Sequence, residues 1–158
     1  MWTWQALQKR ELDLAVPLLS AIAPHDLAGF SRQAQACLDE PYGGVMTVRT
    51  ASGCIVVVAM FHQLAPRSTL SIDWLRLIEM GRPETTIKAF LDSLLDLAGL
   101  HASPSIRIEG DASGCETVDR HLDGRLGHHF GFRWIESGWL SQLPDVGQLP
   151  VSPPLPRT

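Results

Sequence analysis

Residues 70–99, LSIDWLRLIEMGRPETTIKAFLDSLLDLAG, decide the fold of this chain. The first part reads as a buried strand within Ser68–Met80, with Leu70, Ile72 and Trp74 on one face and Leu75 and Leu77 on the other. The period then changes. Ile87, Phe90, Leu91, Leu94, Leu95 and Ala98 fall on one stripe of an amphipathic helix, and Gly99 suits its C-cap. A strand that turns into a helix over so few residues aims helix N-terminal amides at the space beyond the strand end, a ready place for an anionic ligand. The turn carries Gly81 and otherwise side chains, Arg82, Pro83, Glu84, Thr85 and Thr86. Phosphate-binding turns use several glycines, because side chains keep an anion off the backbone.

Upstream of this stretch, residues 2–7 alternate large and small and predict a short strand. Glu11 to Ala23 predicts a helix with Leu12, Val16, Leu19 and Ile22 along one face, stopped by Pro24. Asp26 is placed to cap a second helix, in which Leu27, Phe30, Ala34 and Leu38 share a stripe that ends at Pro41. Val45–Thr50 and Cys54–His62 read as two strands joined at Ala51-Ser52-Gly53. The second is apolar at every position from Ile55 to Phe61, so both of its faces should be covered.

Downstream, Ser105–Glu109 predicts another strand, a loop follows from Gly110 to Glu116, and Thr117–Phe130 predicts a helix. Phe132–Glu136 and Trp139–Leu143 form a tight hairpin around Ser137-Gly138. The order β-α-α-β-β-β-α-β-α-β-β predicts an α/β (α+β) domain over residues 1–143. Its central sheet is mixed and mostly antiparallel, with helices on both faces. Residues 144–158, with Pro144, Pro150, Pro153, Pro154 and Pro156, predict an extended tail.

Composition excludes several function classes. With 158 residues, 45% hydrophobic and 19% charged, the chain fits one ordinary globular domain rather than a disordered one. A net charge of −4 gives no basic footprint for nucleic acid. The three cysteines, Cys37, Cys54 and Cys115, are odd in number and widely spaced, which argues against a disulfide framework or a zinc ribbon and fits a reducing cytoplasm. No apolar run reaches membrane-spanning length, and the first residues lack the basic-then-apolar pattern of a secretion signal. Cys115, His121 and His128 have ligand-type side chains, but no matching cysteine or carboxylate completes a metal set, so no metal is expected.

The element order from Trp2 to about Leu143 resembles the GNAT superfamily of N-acetyltransferases. Two local features carry the resemblance further: Gly131-Phe132-Arg133 looks like the family's Gly-Phe pair entering its sixth strand, and Ile78 and Ile87 flank the place of its acyl-CoA pyrophosphate loop. The resemblance implies an acyl-CoA N-acyltransferase architecture. Acetyl-CoA or another acyl-CoA would be the donor, and a small-molecule or peptide amine the acceptor. The family's loop pattern, Arg/Gln-x-x-Gly-x-Gly/Ala, is not restored in either register. Anchored on Ile87 its glycines fall on Thr86 and Lys88, and anchored on Arg82 they fall on Thr85 and Ile87. Pro83 removes one amide donor and Glu84 adds a repelling carboxylate, although both are also good helix-starting residues. Arg82 and Lys88 remain to contact phosphates through side chains.

The family's tyrosine, which protonates the departing thiolate, falls on Gly127, and His128 beside it has a side chain able to supply a proton near neutral pH. Glu79 at the strand end is the candidate general base, with amides near Ile78 and Met80 placed to polarise a thioester carbonyl. The expected site is therefore Glu79 and His128 for catalysis and Ile78, Met80, Arg82, Thr85, Thr86 and Lys88 for the donor. The acidic stretch from Asp111 to Asp123 is a solvated loop and helix start, or a lure for a cationic amine.

Two readings follow. One is an N-acyltransferase that holds its donor with fewer glycine amides. The other is a catalytically degenerate binding or regulatory module that kept the fold. Trp2, Trp4, Trp134 and Trp139 fall on terminal strands, and edge aromatics together with the family's habit of dimerising make a homodimer a candidate assembly.

Overall fold

Three consecutive strands, β2 (Gly43–Arg49), β3 (Ile55–His62) and β4 (Leu70–Leu77), pair antiparallel and form the centre of the molecule. The computed structural model of the chain describes residues 2–78 and 82–144. Glu79, Met80, Gly81 and the tail from residue 145 lie outside them. β1 (Thr3–Leu7) pairs with β2, and β5 (Ser105–Glu109) lies parallel to β4. β7 (Gly138–Gln142) inserts antiparallel between β5 and β6 (Phe132–Ile135). The sheet among the described residues therefore runs β1-β2-β3-β4-β5-β7-β6. It is mixed and mostly antiparallel, as the order of elements predicts, and its edges are β1 and β6.

β3 is buried on both faces because it faces a separate core on each. Val57, Ala59 and Phe61 join a cluster under α3 (Pro83–Leu100), packed with Phe90, Leu91 and Leu94. Val58 and Met60 turn the other way, toward Leu19 of α1 (Val16–Ile22) and Phe30 and Ala34 of α2 (Leu27–Asp39). No helix among the described residues is long and apolar enough to cross a membrane.

Four details differ from the sequence reading, each for a local reason. Strict alternation in β4 fails: the pairing shifts between Met60 and Phe61, which oppose Trp74 and Ile72. Asp73 is the extra residue of this bulge, so Leu70, Ile72 and Leu75 share the α3 face while Trp74 packs against the α1–α2 core. The first helix is split, with a 3-10 segment Lys9–Ala15 before α1, where Pro17 sits in the first turn and has no N–H to give. Asp26 makes no side-chain cap on α2, because its carboxylate is taken by Arg76 at 2.7 Å. Finally, α3 runs through Gly99 to Leu100, and the left-handed residue after it is Ala102, at φ 52°.

Candidate functional site

The site develops where β4 and β5 separate. Their parallel pairing covers only Leu70–Ile72 against Ile106–Ile108, and β4 then continues for five residues beyond it. The gap is crossed at Leu75, whose N–H donates to the Ala112 carbonyl at 3.0 Å. Arg76 Nη1 donates to the same oxygen at 2.9 Å. The loop after β5 thus leans across the opening with Ala112 almost wholly buried. On the other flank, the Ile78 N–H donates to Val56 at 3.0 Å. That amide is used inside the sheet, so Ile78 offers an apolar side chain rather than a donor to a carbonyl. The expected base Glu79 and the second expected amide, Met80, lie outside the described residues.

The start of α3 offers fewer backbone donors than its position suggests. Pro83 has no N–H, and the Thr85 N–H donates to the Arg82 carbonyl at 3.0 Å. Arg82 itself is extended at φ −126°, ψ 93°, and makes no side-chain cap. A complete ring of amides around an anion is not assembled there.

Nor do the expected donor-binding side chains share one surface. Thr85 and Lys88 line a shallow cleft with Trp2 and Trp4 toward the β1 edge, where Lys88 is paired with Asp92 at 2.8 Å. Thr86 points inward, fully buried, and its hydroxyl has no hydrogen-bond partner among the described residues. Glu84 faces the other way, into a cavity of about 230 Å³ that it shares with Arg120, His121 and Arg125. The arginines come from α4 (Glu116–Asp123) and α5 (Arg125–His129). The sequence reading took this segment for its acid residues and overlooked the arginines. Their signal was the placement of Arg120 and Arg125 either side of the helix-breaking Gly124.

That break also decides what stands at Gly127. The predicted single helix Thr117–Phe130 ends at Gly124, at φ −98°, ψ −156°, and resumes as α5. The fold-back presses Gly127 against Leu122, and a Cβ at Gly127 would overlap the Leu122 carbonyl. No tyrosine fits on this backbone. His128 lies beside it in α5, exposed to solvent. His121 donates from Nδ1 to the Thr117 carbonyl at 2.8 Å, within α4.

No family model matches the chain. A stretch of 85 residues is 33% identical to SCAR-like protein 2 of Oryza sativa subsp. japonica, covering 49% of this chain and 6% of that protein. The chain thus spans a small fraction of that relative's length. Solved structures match far more of it. Aminoglycoside 6'-acetyltransferase type Ii is similar at a TM-score of 0.66 with 9% identity, over 90% of this chain and 98% of that one. A GNAT family N-acetyltransferase from Escherichia coli, in complex with CoA, gives 0.59 with 12% identity, over 91% and 82%. Ribosomal-protein-alanine N-acetyltransferase from Brucella melitensis biovar Abortus 2308 gives 0.57 with 18% identity, over 78% and 89%. At these identities the likeness is one of architecture, and the chain has the fold of the GNAT N-acetyltransferases.

Proposed function

We propose that this chain is an acyl-CoA-dependent N-acyltransferase that holds its donor's phosphates with side chains in place of loop glycines. The observation that carries this reading is the cluster of Arg120 and Arg125 around Glu84 at the start of α3. Two guanidiniums offer paired donors to phosphate oxygens. Glu84 opposes them, and its swing away from the cavity is required for an anion to enter. The side-chain cations fit such a substrate, whereas the backbone amides fit it poorly.

The reaction on this fold is direct attack. The amine nitrogen forms a bond to the thioester carbonyl carbon, and the carbon–sulfur bond breaks. Glu79 is the proposed acceptor of the amine's proton, through water, and His128 the proposed donor to the departing thiolate. The acceptor is an amine of a small molecule or a peptide.

A second reading, a binding module without turnover, is favoured by the engaged Thr85 amide and by the steric exclusion of a tyrosine at Gly127. Calorimetry and thermal shift with acetyl-CoA separate the two. A ligand that binds only the native state at a hundred times its Kd stabilises it by about 2.7 kcal/mol. For a domain of this size that raises Tm by roughly 5–10 °C. The transferase reading expects such a rise, and a loss of affinity of about tenfold or more in R120Q/R125Q. Absence of any shift with acetyl-, succinyl- and longer acyl-CoA at about millimolar concentration, far above ordinary affinities, leaves the module reading.

A further inference from the structure

A second cavity, of about 480 Å³, opens on the opposite face of the sheet from Arg120 and Arg125. Leu14, Leu18 and Ala21 from the first helical segment line one side, and Val56 and Ile78 from the ends of β3 and β4 line the other. This is the size range of small-molecule sites, and its wall is apolar except at one place. Arg49, the last residue of β2, contributes a guanidinium, and no carboxylate stands among the described residues that line the cavity. The Arg49 Nε is buried and donates to nothing among the described residues. Every other arginine buried to a similar degree in the sheet is matched: Arg76 with Asp26, and Arg107 with Glu109.

A guanidinium whose N–H is buried without an acceptor costs folding free energy, and an anion entering beside it would recover that cost. One cation can neutralise one charge. A phosphate dianion would leave a charge uncompensated in apolar surroundings, while a carboxylate matches the planar fork of arginine. We propose that this cavity binds an amphipathic carboxylate, its apolar body against Leu18, Ala21 and Val56 and its carboxylate on Arg49. Ile78 packs against the cores of both sheet faces, which puts the cavity next to the end of β4. If acyl transfer runs there, the acceptor is accordingly an amine that also carries an apolar body and a carboxylate. That last step rests on the transferase reading; the binding site does not.

The test is calorimetry on the full chain without any acyl-CoA, using 3-phenylpropanoate, L-phenylalanine and 2-phenylethylamine as probes. Both carboxylates are expected to bind saturably and the amine lacking one is not. R49Q is expected to weaken carboxylate binding about tenfold or more, the loss of one charge-assisted pair. A21W, placed at an exposed position of the cavity wall, is expected to abolish it with the fold intact. As a readout independent of heat, 3-phenylpropanoate should slow thiol labelling of Cys54, which is exposed and lines the same cavity. Failure of both carboxylates to bind, equal binding by R49Q, or equal binding of the amine overturns the proposal. Acetyl-CoA titrated into R49Q keeps the two readings apart: it reports on the arginines of α4 and α5 alone.

Discussion

At the scale of single residues, Cys37 shows how local packing alters chemistry. Its thiol donates to the carbonyls of Gly44 and Phe61, each at 3.3 Å. Burial is the main cause that pushes its pKa from the ordinary 9.0 up to about 11, aided by the negative charges of Asp73 and Glu40. Two units mean a thiolate fraction about a hundredfold lower near pH 8, so Cys37 is expected to react last with a maleimide while exposed Cys54 reacts early. Mass spectrometry of partially labelled protein reads the order. The sign for stability follows from the same shift. The folded thiol holds its proton to higher pH than the unfolded one, so the contribution is complete below pH 9.0 and lost as pH rises through about 11. C37A is therefore expected to flatten the fall of Tm across that window. Nothing in sequence spacing marks Cys37, because desolvation depends on which strands close over it.

At the scale of elements, three small residues carry opposite expectations. Gly99 lies inside α3 with nothing within 4 Å of an added Cβ. G99A should stabilise by about 0.5–1 kcal/mol, by lowering the entropy of the unfolded helix. Ala102 holds a left-handed conformation at φ 52°. A102G should relieve about 1 kcal/mol there, and each change should lift Tm by roughly 2–4 °C in a scanning melt. G127A is the counter-case. Its methyl would collide with the Leu122 backbone, forcing α4 and α5 apart, and a loss of roughly 3 kcal/mol or more is expected. The elements themselves were largely legible: β5 falls on the predicted residues, and the β6–β7 turn sits at Glu136 and Ser137, one residue before the expected Ser137-Gly138, both at positive φ as a two-residue hairpin requires. The β4 bulge and the α4–α5 break were not. The bulge arises from pairing with β3, which a periodicity count does not see, and the break from the local fold-back at Gly124 that sets Gly127 on Leu122, which a continuous helical stripe hides.

At the scale of the whole molecule, one cluster ties the separate layers together. Asp26 at the start of α2 pairs with Arg76 on β4 at 2.7 Å, Arg76 also holds the Ala112 carbonyl after β5, and its guanidinium lies 4.7 Å from the centre of the Trp74 ring. Both charged side chains are mostly shielded from water. D26N keeps the shape and removes the charge, leaving Arg76 uncompensated at the junction of helix, sheet and loop. A loss of about 1.5–3 kcal/mol is expected, read by urea denaturation with an unchanged m-value.

What the chain determined by itself was the succession of elements and their inner and outer faces, since periodicity and turn residues act over a few positions. The fold of the GNAT N-acetyltransferases was readable from that succession. The tertiary structure decided which groups meet: Arg120 and Arg125 come to the start of α3, Thr85 and Lys88 turn toward Trp2 and Trp4, and Arg49 faces an apolar cavity beneath α1. A binding surface is made of residues far apart in sequence. Their charges and free hydrogen-bonding groups become available, or are consumed, only when the sheet and helices close on one another.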